Sequence, residues 1–392
     1  MTTHCGYFPN ARFLSFMVNS CTYANLLDAS VALLSKASQF GCRIEAHAYN
    51  KLMRLLIGHG RVNDAVALFE RWIDDGVYSP DVCSFNVVIK GVCHVDGLCR
   101  VNEVDRGRQV LRRLKRDGVF MPNIVTFTSV ISGYCKSGKM EDAMAVYNDM
   151  VESGTAPNTV TYNVLINGYG KVGDMGSAVT VYQQMMLLHC PPDVVTFSSL
   201  IDGYCRCGQL DDALRIWIEM SRYHIQPNVY TFSIVLHSLC KQNRPEEAVG
   251  LLNELNMRSD IAPQAFIYNP VIDVLCKGGK VDEANLIRKG MEEKGCLPDK
   301  YTYTILIIGY CMKGKMSEAI TVLHKMVETG CTPDNITINC FITCLSKAGM
   351  PNEVDHAMFV ASGGALSSQK TPPPSIRIPK LVKIMRTNRI FY

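Results

Sequence analysis

The sequence predicts an all-α protein: an α-solenoid, a right-handed superhelix of about ten stacked antiparallel helix pairs. Three observations carry this expectation. The chain repeats at a near-constant 35-residue step, each step holds two apolar helical faces, and turn residues close each helix.

The step is marked by Pro followed by Asp, Asn or Gln. The pairs are Pro80-Asp81, Pro122-Asn123, Pro157-Asn158, Pro192-Asp193, Pro227-Asn228, Pro263-Gln264, Pro298-Asp299 and Pro333-Asp334. Their intervals are 42, 35, 35, 35, 36, 35 and 35 residues. The first helix of a step, as from Val160 to Lys171, is apolar and aromatic and ends before Gly173. The second, as from Met140 to Met150, places Met140, Ala143, Tyr147 and Met150 on one face. Glu141 and Asp142 favour the positive end of its dipole, and Gly154 and Pro157 stop it. Short turns make the pair antiparallel. Neither helix buries its apolar face alone, so neighbouring pairs must stack.

Other positions recur at the same step. Ala143, Ala178, Ala213, Ala248, Ala284 and Ala319 allow close helix contact, and Met150, Met185, Met220, Met291 and Met326 fill the core. Cys135, Cys205, Cys240, Cys276 and Cys311 share one site. One Cys per pair, without a second ligand at metal spacing, reads as a buried small hydrophobe.

The expected organisation starts with residues 1–10, the end of a truncated repeat or a disordered segment, and a degenerate repeat at 11–45. Eight repeats follow at 46–81, 82–123, 124–158, 159–193, 194–228, 229–264, 265–299 and 300–334, then a degenerate last repeat at 335–369 and a flexible basic tail at 370–392. The 82–123 repeat is long. Six extra residues are expected in its inter-helix turn, around His94 to Glu103, and one more near Phe120.

Hydrophobic residues make up 47% of the 392, enough for a core, and a net charge of +4 permits a polyanionic partner without demanding one. The 17 cysteines follow no recognisable secretory signal and read as reduced thiols. No apolar run reaches the roughly 18 residues of a membrane span, so no membrane insertion is expected. No complete transit peptide is visible. Gly168, Gly170 and Gly173 match G-x-G-x-x-G, but the period puts them at a helix end with no preceding strand. No other catalytic constellation stands out. No enzyme activity, cofactor or metal is expected.

Three columns of residues point to a ligand. The fifth residue of each first helix is Asn50, Asn86, Thr128, Asn163, Ser198, Ser233, Asn269, Thr304 or Asn339. All are mediocre helix formers, placed too far into the helix to cap it. The last residues of the units, Asp81, Asn123, Asn158, Asp193, Asn228, Asp299 and Asp334, precede helices, so capping is an equal alternative for them. Stacking brings the fifth residue near the last of the same unit, giving one hydrogen-bonding pair per repeat. A second column at helix ends holds Lys136, Lys171, Arg206, Lys241, Lys277 and Lys347, interrupted at Gly58, His94 and Met312. These cations suit phosphates, or simply the helix C-terminus. A third, at the second helical residue, is flat or branched: Val125, Val160, Val195, Tyr230, Phe266, Tyr301 and Ile336. These side chains suit base faces, or ordinary interface packing. Together the columns suggest a strand of nucleic acid.

The motifs VTYNVLINGYGKVGDMGSAVTVYQQM and VVTFSSLIDGYCRCGQLDDALRIWIEM, each closed by Pro and Asp or Asn, resemble the pentatricopeptide repeat family over about residues 11–369. The class is the plain 35-residue repeat. It lacks the H-x-E and C-x-x-C of the zinc deaminase appendage of some relatives, and the peptide-binding 34-residue family's Trp and Gly-x-x-Tyr pattern is absent. The resemblance implies single-stranded RNA binding, one base per repeat, in plant mitochondria or chloroplasts, in RNA stability, processing, splicing or translation beside other RNA-processing proteins. Its reading rule uses the fifth and last residues. Asn50 with Asp81 implies U, Asn86 with Asn123 a pyrimidine, Thr128 with Asn158 A, and Asn163 with Asp193 U. Ser198 with Asn228 implies A, Asn269 with Asp299 U and Thr304 with Asp334 G. Ser233 with Gln264 departs from the pattern and is unread. The implied site is U-Y-A-U-A-N-U-G. Two other classes stand beside this one: a protein-binding helical-repeat scaffold, and a truncated inactive gene product, since Pro9-Asn10 is itself a repeat ending.

Overall fold

The computed structural model describes residues 11–39, 44–74, 81–94, 101–117, 122–262 and 264–349. Residues 1–10, the basic tail 370–392 and the last repeat beyond residue 349 lie outside them. Among the described residues there are nineteen α-helices and no strand.

The helices come in pairs. They are α1 (Ala11–Tyr23) with α2 (Leu27–Gln39), α3 (Ala46–Gly58) with α4 (Val62–Asp74), α5 (Val82–His94) with α6 (Val101–Asp117), and α7 (Ile124–Lys136) with α8 (Met140–Glu152). Next come α9 (Thr159–Val172) with α10 (Met175–Leu187), α11 (Val194–Arg206) with α12 (Leu210–Arg222), and α13 (Val229–Lys241) with α14 (Pro245–Met257). The remainder are α15 (Ala265–Lys277) with α16 (Val281–Glu293), α17 (Lys300–Met312) with α18 (Met316–Glu328), and the lone α19 (Asn335–Lys347). The chain forms two compact units, Met1–Val274 and Leu275–Tyr392. From α1 to α13 each first helix packs on its own second helix and successive first helices pack on each other, and α2, α4, α6, α8, α10 and α12 each also touch the next first helix; α17 packs in the same way on α16, α18 and α19. This is the expected all-α solenoid.

The pairs stack because eight of the ten first helices bury an aromatic at their fourth residue, and α1 and α19 bury Leu14 and Ile338 there. Tyr49, Phe85, Phe127, Tyr162, Phe197, Phe232, Tyr268 and Tyr303 are all buried. Each is worth roughly 1.5–3 kcal/mol of transfer free energy. The expected Ala and Met positions are buried too: Ala143, Ala178, Ala213, Ala248, Ala284 and Ala319 at the helix contacts, Met150, Met185, Met220, Met291 and Met326 in the core.

Six of the first helices start on the same kind of cap. The side chains of Asn123, Asn158, Asp193, Asn228, Asp299 and Asp334 accept from the backbone N–H of the third helical residue, which is Thr every time. Four of these are reciprocal capping boxes, closed by the Thr hydroxyl instead of the usual Glu. The Pro before each cap cannot continue the preceding helix.

The long repeat differs from expectation. Its extra residues do not all fall in the turn: α6 has 17 residues where the other second helices have 13. The segment VNEVDRGRQVLRRLKRD is rich in helix formers and keeps Val104 and Leu111 buried, so the insertion extends a helix. Residues 95–100 and Phe120 lie outside the described set.

The tightest packing joins α9 and α11. A Cβ on Gly203 would lie 3.0 Å from Gly170 Cα and 2.5 Å from Met175 Sδ. Two helix backbones meet there, so no side chain can yield enough room. Gly250 in α14 has nothing within 4 Å of its Cβ site. The two glycines therefore respond oppositely to Ala. Gly203→Ala costs about 1–3 kcal/mol by overpacking, more than the ~1 kcal/mol of helix propensity it gains. Gly250→Ala keeps that gain and is stabilising. Denaturant midpoints of the two variants check the pair of signs.

Candidate nucleic-acid interface

The fifth residue of each first helix sits where that helix meets the next one. Asn163, 7% exposed, donates from Nδ2 to Asp193 Oδ1 at 2.9 Å and accepts at Oδ1 from the Thr196 hydroxyl at 2.6 Å. Both ends of the amide are held. One Nδ2 hydrogen and Asp193 Oδ2 take part in neither bond. The junction of α9 and α11 thus keeps one donor and one acceptor outside these two bonds.

The same third-residue hydroxyl serves the other junctions. Thr126 donates to Asn86 Oδ1 at 2.6 Å, while its backbone N–H is held by Asn123. Thr128 bonds Thr161 at 2.9 Å, Ser198 bonds Thr231 at 2.8 Å, and Thr304 bonds Thr337 at 2.8 Å. At the first junction Ser84 replaces Thr and turns its hydroxyl to Asp81 Oδ1, at 2.7 Å. Asn50 Nδ2 then lies 3.4 Å from Asp81 Oδ1, and Asn50 Oδ1 is buried with no partner.

The fifth residue therefore meets the last residue directly at Asn50–Asp81 and Asn163–Asp193. It does so through the intervening Thr for Asn86 with Asn123, Thr128 with Asn158, Ser198 with Asn228 and Thr304 with Asp334. No hydrogen bond among the described residues joins Ser233 to Gln264, and the third residue of the next first helix is Ile267, which has no hydroxyl to bridge them. Asn269 is buried in the first unit and Asp299 caps α17 in the second. The third-residue Thr series is the part that reading the sequence missed. Its signal was present, as Thr in VTYN, VTFS, YTFS, YTYT and ITIN.

The caps are electrically suited to the role. Burial pushes the Asp81 carboxyl up, but the bonds from Ser84 and Asn50 outweigh it and hold it below the usual carboxylate range. Asp334 is held low by the Thr337 backbone N–H and hydroxyl, helped by Lys300 at 3.6 Å. Both are acceptor-only groups at neutral pH.

The flat or branched column is exposed. Val125, Val160, Val195, Tyr230, Phe266, Tyr301 and Ile336 are 40–71% exposed, outside the buried core. The Tyr230 and Phe266 rings lie 6.4 Å apart between centroids, inclined by 28°. Lys136, Lys171, Arg206, Lys241, Lys277 and Lys347 are exposed at helix ends. Arg206 donates to Asp202 at 2.7 Å, a surface pair worth at most about 1 kcal/mol and cheap to open.

Charge is segregated between the helix classes. The ten first helices carry eleven Lys or Arg against two acids, Asp202 and Asp273. The second helices other than α6 carry twenty acids against seven Lys or Arg. The modest net charge of +4 hides this division.

Cys135, Cys276 and Cys311 are buried, and Cys205 and Cys240 half-buried. Burial pushes the Cys135 and Cys240 thiols up to about 12, so they remain protonated small hydrophobes. Among the described residues no group of three or more His, Cys, Asp or Glu could hold a metal, and no helix is long and apolar enough to cross a membrane.

Known proteins share both the repeat and the fold. The PPR repeat family model matches residues 122–170, 157–206, 192–241, 263–312 and 305–347, and a second PPR repeat model matches 47–77 and 230–259. A pentatricopeptide repeat-containing protein of Arabidopsis thaliana is 41% identical over 63 residues, 16% of this chain and 11% of that protein. The structure resembles the pentatricopeptide repeat protein PPR10 in complex with an 18-nt psaJ RNA element, with a TM-score of 0.56 and 20% identity. The likeness covers 92% of this chain and 56% of PPR10, so the chain spans little more than half the length of that relative. A form of PPR10 with three cysteines replaced by serine, bound to the same RNA element, matches equally well, at 0.56 and 20%. The family repeats alone account for more than half of the residues, and the chain belongs to the pentatricopeptide repeat family.

Proposed function

We propose that this chain binds single-stranded RNA in a sequence-dependent way, one base at each junction between repeats, and serves organellar RNA metabolism in a mitochondrion or chloroplast. The observation that carries the reading is the exposed apolar column. Branched and aromatic side chains are exposed at one register of seven successive first helices, four of which also carry a fifth residue bonded to the start of the next first helix. Such a row lies outside the core and suits a stack of bases. The Tyr230–Phe266 spacing of 6.4 Å is close to twice the ~3.4 Å rise of a stacked strand. One base fits between the rings with little opening.

The charge division supports the same face, since a polyanion is drawn to the first helices and repelled by most of the second ones. The fold likeness to PPR10, seen with an 18-nt RNA, supports it further. The base-reading residues are Asn50, Asp81, Asn86, Asn123, Thr128, Asn158, Asn163, Asp193, Ser198, Asn228, Ser233, Gln264, Asn269, Asp299, Thr304 and Asp334. The Lys/Arg column contacts phosphates. An Asn–Asp junction offers one donor and one acceptor, matching the N3–H and neighbouring carbonyl of uracil. The proposed site is U-Y-A-U-A-N-U-G. The role is binding without a catalytic step, with RNA stability, processing, splicing or translation as the outcome and other RNA-processing proteins as partners. Selection of bound RNAs from a random pool tests it: enrichment of that site supports the reading, and absence of any sequence preference refutes it.

Four further outcomes are expected. With about six phosphates neutralised, log affinity falls with log salt at a slope of roughly −4, at about −0.7 per contact on a single strand. Lys171→Ala weakens all RNAs alike and flattens that slope, as a salt titration of both proteins will show. Asn163→Thr changes preference at the fourth nucleotide from U towards G, by roughly tenfold if a base contact is worth the 1–3 kcal/mol typical of duplex readers. Binding to sites varied only at that nucleotide measures this. Its fold is retained, because Thr at this register bonds the next Thr directly, as Thr128 and Thr304 do. Thr196→Val behaves differently. It strips the hydroxyl from a buried network and costs about 1–3 kcal/mol, read as faster hydrogen exchange in α9 and α11.

A further inference from the structure

The apolar column is incomplete at the α3–α5 junction. The second residue of α5 is Cys83, small and exposed, where later first helices carry Val125, Val160 or Val195. Its sulfur is covered from the neighbouring helix: Arg54 Nη2 donates to Cys83 Sγ at 3.3 Å. Arg54 is exposed and is the ninth residue of α3. The next two first helices with complete columns hold Ser132 and Asn167 at that register.

Two more features mark this junction. Asn50 is 5% exposed, and its Oδ1 is buried with no hydrogen-bond partner, because Ser84 has turned to Asp81. The acceptor that Thr satisfies at α5–α7 and α9–α11 has no partner here. Secondly, the phosphate-facing position of α3 is Gly58, and Arg54 stands one helical turn before it on the same face. The cation missing at Gly58 is restored at a place where its side chain reaches the second-residue column.

Building on the RNA-binding reading above, we propose that Arg54 is the missing wall of the first base pocket. Cys83 Sγ holds the planar guanidinium by its edge, which leaves a face to stack on the base read by Asn50 and Asp81, with the exposed His47 of α3 on the opposite side. Guanidinium planes stack on unpaired bases as aromatic rings do, and Lys, a point charge on a flexible stem, does not replace them. The junction thereby selects a base by a stacked cation, where the downstream junctions use branched or aromatic side chains.

The test is binding of the RNA 5′-UCAUAAUG-3′, and of the same RNA with an abasic first nucleotide, to the wild type, Arg54→Ala and Arg54→Lys. Arg54→Ala weakens binding of the intact RNA roughly five- to 150-fold, the range for losing one base-stacking partner. Arg54→Lys recovers little of it. On the abasic RNA the Ala variant loses no more than a few-fold, the loss of one phosphate-proximal charge. Arg54 is exposed, so thermal melts of all three proteins coincide. Equal binding by Arg54→Lys and the wild type, or an Ala penalty of the same size on the abasic RNA, reduces Arg54 to a phosphate contact and overturns the wall. No effect of Arg54→Ala on an RNA that the wild type binds also overturns it, leaving RNA binding itself intact. Failure of the wild type to bind the intact RNA overturns the nucleotide assignment and the wall with it.

Discussion

Thr196 lies between two helices and belongs to both. Its backbone N–H is taken by the Asp193 cap, and its hydroxyl donates to Asn163 on the preceding first helix. A hydroxyl has one proton to give, and this one is fully buried, so only a narrow range of positions satisfies it. The bond sets where α11 begins, how it is rotated, and which turn of α9 it faces. Sliding one helix by a residue would leave a buried amide, a buried hydroxyl and a cap without partners, at about 1–3 kcal/mol each. Repetition of the bond at Thr126, Thr161, Thr231 and Thr337 keeps the register constant within each unit. The tight α9–α11 approach at Gly170 and Gly203 depends on that register, as does the alignment of exposed residues on successive helices.

Stability and presentation share the same atoms. The fifth residue must carry an oxygen for the neighbouring hydroxyl, so Ala or Leu would orphan a buried group. Once bonded, its remaining polar atoms are held in one orientation before any ligand arrives, which lowers the ordering entropy of recognition. The second residue is the opposite case. It lies outside the buried hydrogen-bond network and is substantially exposed, so its chemistry is less constrained by the fold. Two columns three residues apart on one helix thus answer to different constraints.

Much of this was legible in the sequence because the repeat averages out local ambiguity. The period located the caps, the aromatic and Ala positions defined the core, and the odd polar residue after each aromatic marked the junction. Thr at the third residue was visible but silent. Its meaning is a bond to another helix more than thirty residues away, and helical periodicity reports only faces within one helix. The α6 extension was misplaced because a seven-residue insertion says how much chain is added and not whether it coils or continues a helix. The contact of Arg54 with Cys83 was not legible at all. It joins the ninth register of one helix to the second of the next, and occurs where neither residue follows the repeat.

Asn, Ser and Thr occupy the fifth position interchangeably because each offers an oxygen within reach of the same hydroxyl. In the genetic code Asn is one nucleotide change from either Ser or Thr, and Asp is one change from Asn. A single point mutation can therefore rewrite the hydrogen-bonding face of one junction while its neighbours, each closed by its own Thr, keep theirs. Variation can alter these junctions one at a time without disrupting the stacking of the repeats.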